Sequence, residues 1–201
     1  LLGVFYVIPL KHFAGDEGLA LYQAVFPIYN TLLILSVSGI PIALSKLISE
    51  KVSAGQRGEV APITKSAIRS MIVVALVGFV ALFTGSKTIA FWIGDLRTTL
   101  SIQAIAYAML LVPFVAVLRG YFYGFQLMQL SAVSQVIEQF ARVFTMIFLV
   151  YWFLKAEETM EVVASGAAFS SVAGVSVAFA ILIVGYLRHR TKGQARTQQT
   201  S

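Results

Sequence analysis

The chain has 201 residues, of which 58% are hydrophobic and only 12% charged, and its mean hydropathy is +0.84. A soluble domain carries roughly 25% charged residues, so this balance excludes a soluble globular fold and indicates an integral membrane protein. With no cysteine, a disulfide framework and thiolate metal ligation are excluded as well. The net charge of +6 fits basic loops on one side of a membrane better than a nucleic-acid surface, so no nucleic-acid partner is expected.

The opening stretch LLGVFYVIPL ends at Lys11, well short of the ~20 residues a membrane helix needs. It lacks the basic start of a signal peptide. We read it as the end of a truncated first helix and the chain as a fragment. Five full spans are then predicted, at 21–45, 68–86, 100–118, 131–154 and 162–187. The fold class is therefore an all-α polytopic bundle of about six transmembrane helices, with 1–187 as one membrane lobe.

Between the second and third spans, residues 46–67 are polar and predict a surface loop or amphipathic turn. After the third span, TIAFWIGD places Phe91 and Trp92 beside Asp95, the pattern of an interfacial aromatic anchor. The basic, polar stretch 188–201 predicts a flexible linker or tail. Ten of the fifteen Lys and Arg residues fall on one side of this topology, at 46–69, Arg119 and the tail, and four on the other. The positive-inside rule makes the richer side cytoplasmic, in the cell membrane.

Two spans carry features that a plain apolar helix does not need. In the second, Pro27 frees a backbone carbonyl one turn earlier, and Asn30, Thr31 and Ser38 follow it. Such a helix is either a kinked structural element or the lining of a cavity. Pro113 predicts a second kink in the fourth span.

The fifth span begins SQVIEQFARV, with Glu138 and Arg142 four residues apart. Counting back ~20 residues from Lys155 puts both inside the bilayer, Arg142 on the order of 10 Å deep. Ser134, Glu138, Arg142 and Thr145 form one helical stripe, with Val133, Ile137, Phe140, Phe144 and Phe148 elsewhere. A charge at that depth costs several kcal/mol unless it faces protein or water, so the stripe should face inward. Three readings stay open: an ion pair that only braces helices, an arginine snorkelling to headgroups, or a cation lining a substrate cavity.

In the sixth span, Gly166, Ser170, Gly174 and Ala178 repeat at every fourth position, a face for close helix packing. RGYFYGF at 119–125 contains a GxxxG spacing, a weak signal at a helix end. The sequence contains no phosphate loop, HExxH, paired acidic motif or Cys/His cluster, so neither an enzyme nor a bound metal or cofactor is expected.

Three stretches in order, LLGVFYVIPLKHFAGDEGLALYQ, FPIYNTLLILSVSGIPIALSKLISE and LRGYFYGFQLMQLSAVSQVIEQFARV, resemble the MurJ/SpoVB/YtgP group of the MATE-like flippase superfamily. The chain resembles the N-terminal lobe of such a protein, and a C-terminal lobe is the implied partner. The resemblance implies alternating-access translocation of a lipid-linked saccharide, such as the peptidoglycan precursor lipid II, together with membrane lipids as surroundings. Substrate contacts are then expected at Arg142, Glu138, Asn30, Thr31 and Ser38. Lys46, Arg69 and Arg119 are expected at the cytoplasmic mouth. Where the best-known members have arginines in their first two helices, this chain has Val7 and LLILSVSG, so those roles do not transfer. A cation-coupled multidrug antiporter of the same superfamily and a non-transporting membrane scaffold are the alternatives. An antiporter should need intramembrane acids, and this chain offers only Glu138.

Overall fold

A computed structural model of the chain describes residues 11–12, 15–27, 31 and 39–198, with side chains as far as 189. Most of the first predicted helix, and Asn30 and Ser38 in the second, lie outside the described residues. The described residues form seven helices: α1 at 15–27, α2 Gly39–Ser53, α3 Val60–Ile93, α4 Thr99–Met109, α5 Val112–Gly124, α6 Met128–Lys155 and α7 Met160–Gln198. Four stretches among them are long and apolar enough to cross a membrane: Arg57–Ile93, Leu96–Gly124, Met128–Lys155 and Met160–His189.

The polar stretch 46–67 is not the expected loop. Leu44 and Ile48 are buried at helical spacing while Lys46, Leu47 and Glu50 face out, so α2 continues to Ser53. Gly55, with φ +75°, ends it, and Lys51 bridges the turn to Glu59 at 2.5 Å and to Gln56 Oε1 at 2.9 Å. A single 3₁₀ turn, Arg57–Glu59, leads directly into α3. The fourth predicted span is broken, as Pro113 requires. α4 ends at Met109, and α5 restarts with the proline in its first turn, where a missing N–H costs nothing. In the stretch expected as linker, the backbone of α7 continues as helix to Gln198.

Burial decides the arrangement. Ten of the 13 residues of α5 are buried, against seven of the 34 of α3, so α5 is the central helix and α3 peripheral. One core joins α2, α3, α5 and α7 through Leu44, Ile48, Met71, Val117, Phe122, Ala178 and Leu182. At the opposite end, Tyr22 of α1 packs with Met146 and Val150 of α6 and Val163 of α7. Apolar area offers little net drive to helix pairing in lipid, so close approach at small residues must supply it. A Cβ on Gly120 would lie 2.9 Å from Pro41 Cα, and one on Gly124 would lie 2.6 Å from Ile48 Cβ. The GxxxG spacing that looked weak in sequence is the α5–α2 contact, because α5 runs on through Gly124 instead of ending in a turn.

Candidate functional site

The charged pair in α6 is buried, with Glu138 and Arg142 each 8% exposed. Exposed large apolar side chains on the same helix run from Met128 to Trp152, about 36 Å at 1.5 Å per residue. That exceeds a ~30 Å hydrocarbon core, and Arg142 lies well inside the apolar run, about 15 Å along the axis from Trp152. The inward stripe is Ser134, Glu138, Arg142, Met146 and Val150. Thr145, expected on it, is only half-buried, because the buried positions repeat every fourth residue and pass through Met146 instead.

Glu138 is bonded twice. Arg142 Nη2 donates to Glu138 Oε1 at 3.1 Å, and Arg119 Nη2, from α5, donates to Oε2 at 2.7 Å. Arg119, expected on a cytoplasmic turn, is a helix residue with its side chain only 20% exposed. The three side chains form a clasp between α5 and α6, two guanidinium groups to one carboxylate, a formal charge of +1. Both arginines keep a buried Nε with no hydrogen-bond partner among the described residues. On the stripe below, Ser134 Oγ donates to the Ser131 carbonyl at 2.7 Å. From α7, Gly174 backs the clasp directly. A Cβ there would lie 2.9 Å from the Glu138 carbonyl oxygen and 3.2 Å from Arg142 Cβ. Gly166 meets Phe153 in the same interface, and Ser170 between them is fully buried.

The remaining expected residues lie apart from the clasp. Lys46 is exposed on α2 and Arg69 exposed on α3, while Thr31 is exposed. Lys46 lines an open cleft of about 750 Å³ between α2, the end of α5 and the start of α6, together with Ser45, Glu50, Tyr123 and Gln135. Gln135 Nε2 lies 3.4 Å from Tyr123 Oη across it. Glu138 and Arg142 do not line this cleft. Sequence reasoning missed Arg119 as the third member of the clasp and Tyr123 as a cleft residue. Among the described residues no group of three or more His, Asp or Glu side chains is placed to hold a metal.

At the opposite end of the bundle, Arg97 holds the α3–α4 turn. It donates to both oxygens of Asp95 and pairs with Glu17 of α1 at 2.5 Å. The hydrogen bonds from Arg97 keep the Asp95 carboxyl below its ordinary range. Phe91 and Trp92, just before this turn, are exposed.

Known membrane proteins resemble the chain over nearly its whole length. The chain is 34% identical over 199 residues to the uncharacterized membrane protein YabM of Bacillus subtilis (strain 168), covering 99% of this chain and 36% of that protein. It is 31% identical over 196 residues to the lipid II flippase MurJ of the same organism, covering 93% of this chain and 36% of MurJ. Stage V sporulation protein B, again from B. subtilis, is 32% identical over 201 residues, 95% of this chain and 37% of that protein. The chain thus spans just over a third of the length of the curated relatives it matches. No solved structure matches it. The family model described as polysaccharide biosynthesis protein matches residues 1–200, and the chain, a multi-pass all-α membrane protein, belongs to that family.

Proposed function

We propose that this chain is one lobe of a flippase that moves a lipid-linked saccharide, lipid II or a related polyprenyl-pyrophosphate oligosaccharide, across the cell membrane by alternating access. The observation that carries this reading is the clasp: a buried group of formal charge +1 within a membrane-spanning helix, where a cation is costly unless it has work to do. Guanidinium groups bind phosphate oxygens through paired N–H donors, so Arg142 is the first candidate for holding the pyrophosphate, with Glu138 orienting it. Asn30, Thr31 and Ser38 offer amide and hydroxyl groups suited to sugars. Lys46 and Arg69 sit at the basic end, which the positive-inside rule makes cytoplasmic, and anchor it to anionic lipid. The second lobe is the partner this reading requires.

The test is complementation of cells depleted of their own lipid II flippase by the full gene, wild type or altered at Arg142. The wild-type gene should restore growth, Arg142→Ala should not, and Arg142→Lys should fail if paired donors matter more than charge. Full activity of Arg142→Ala would end the phosphate role, and failure of the wild-type gene would end the lipid II reading. One observation favours a second role: the clasp does not line the 750 Å³ cleft. On that reading Arg142 braces α5 against α6, and Arg142→Ala would lower protein abundance in the membrane instead of transport per molecule.

A further inference from the structure

A second cleft, of about 560 Å³, opens at the basic end between the α5–α6 turn and the last turns of α7. Its lining is divided by chemistry. Arg188 and His189 come from α7, Gln126 and Gln129 from the turn and the first turn of α6, and Leu127, Met128 and Leu130 form the apolar part. Among the described residues no carboxylate lines it. Gln126 holds a left-handed backbone, φ 63°, unusual for a residue with a side chain, and borders both this cleft and the 750 Å³ one. His189 is held in place. Its Nδ1 lies 2.9 Å from Tyr121 Oη, and its ring packs edge-on against Phe125 at 4.7 Å. Nδ1 is thereby engaged within the protein, which leaves Nε2 as the ring's other polar atom. Leu127, Met128 and, one turn before Arg188, Val184 are exposed large apolar side chains. A guanidinium, an imidazole, amides and exposed apolar surface therefore meet where a membrane helix leaves the hydrocarbon.

We propose that this cleft binds an anionic phospholipid, its phosphodiester held by Arg188 and His189, its glycerol region by Gln129, and an acyl chain along Leu127, Met128 and Val184. A zwitterionic lipid would bring a cationic group to a lining that offers it no carboxylate, so the cleft should discriminate by headgroup charge. The lipid here is a fixed structural ligand rather than cargo, and the inference does not rest on the flippase reading.

The full gene product, purified in detergent with equal phosphatidylglycerol and phosphatidylcholine, provides the test, with retained lipid counted by native mass spectrometry. Wild type should retain phosphatidylglycerol in preference. Arg188→Gln with His189→Gln should cut that retention about tenfold, the loss expected when charge-assisted hydrogen bonds to a phosphate go. Gln129→Glu should do the same by placing a carboxylate at the rim. It sits in the first turn of α6, where an acid suits the helix, so folding should be undisturbed. Lys65→Gln, an equal loss of charge on the exposed face of α3 at the same end, should leave retention unchanged. The proposal is overturned if Lys65→Gln lowers retention equally, if Gln129→Glu leaves it intact, or if millimolar inorganic phosphate displaces the lipid and so identifies a free-phosphate site.

Discussion

Replacing Glu138 with Gln tests the clasp most directly, because it removes one charge and strands two. Glu138 accepts a bond from Arg119 at 2.7 Å and another from Arg142 at 3.1 Å, and its side chain is 10% exposed. Hydrogen bonds to charged groups contribute about 1.5–3 kcal/mol each, so losing both costs about 3–6 kcal/mol. Breaking a buried ion pair by removing one partner independently gives about 3–5 kcal/mol. Arg119→Gln or Arg142→Met behaves differently. Each removes one bond and leaves a neutral Arg–Glu pair, so each should cost only about half as much.

The expected order is therefore Glu138→Gln worst, either arginine substitution milder, and Arg119→Gln with Glu138→Gln better than Glu138→Gln alone, since one stranded cation is gone. Unfolding in mixed detergent micelles, titrated with a denaturing detergent and followed by tryptophan fluorescence, gives the differences between variants. The reasoning fails if Glu138→Gln costs less than about 1 kcal/mol, or if either arginine variant is as damaging.

Glycine substitutions provide a second set of expectations. Gly124→Ala should destabilise the α2–α5 contact by about 1–3 kcal/mol, because the new Cβ would stand 2.6 Å from Ile48 Cβ and 3.1 Å from the Ser45 carbonyl. Gly85→Ala, whose Cβ meets only Ile89 Cδ1 at 3.8 Å, should instead be neutral or stabilising in the same assay. Gly174→Val should separate α6 from α7 and weaken the clasp with it, so its effect should be less than additive with Arg142→Met in a double-mutant cycle. At the opposite end, the depressed Asp95 carboxyl contributes stability that is full above its unfolded value of about 3.9 and is lost as pH falls through the folded value. Melting temperatures of wild type and Asp95→Asn, measured from pH 7 to pH 3, should accordingly converge toward the acid end.

What was legible in the sequence was what one helix carries alone. The period of α6 identified Ser134, Glu138 and Arg142 as one inward face, and the exposed positions of Val133, Ile137, Phe140, Phe144 and Phe148 follow from the same count. Every fourth residue of α7 being small was equally visible. The partners of these faces were not. Arg119 lies 19 residues before Glu138 on another helix, and no spacing rule encodes the rotation that brings the two together. Gly120 and Gly124 were undervalued because the end of α5 was placed at Leu118, and an error of two turns turns a packing face into a loop. The polar run 46–53 read as a loop because its composition outweighed the helical placement of Leu44 and Ile48.

These contacts bear on how a cation can be held ready in a membrane without being wasted on its own counter-ion. Arg142 gives Nη2 to Glu138, yet its buried Nε has no partner among the described residues. If the alternating access of the proposed function opens that edge, a phosphate there would add hydrogen bonds without first displacing the carboxylate, and the guanidinium would already be oriented for it. Arg119 matters here because it occupies the second oxygen of Glu138, so the carboxylate cannot turn both oxygens to Arg142 and close its fork. Removing Arg119 should then let Glu138 neutralise Arg142 more fully. On this argument Arg119→Gln, which leaves the cation itself untouched, should weaken transport more than its modest cost in stability explains.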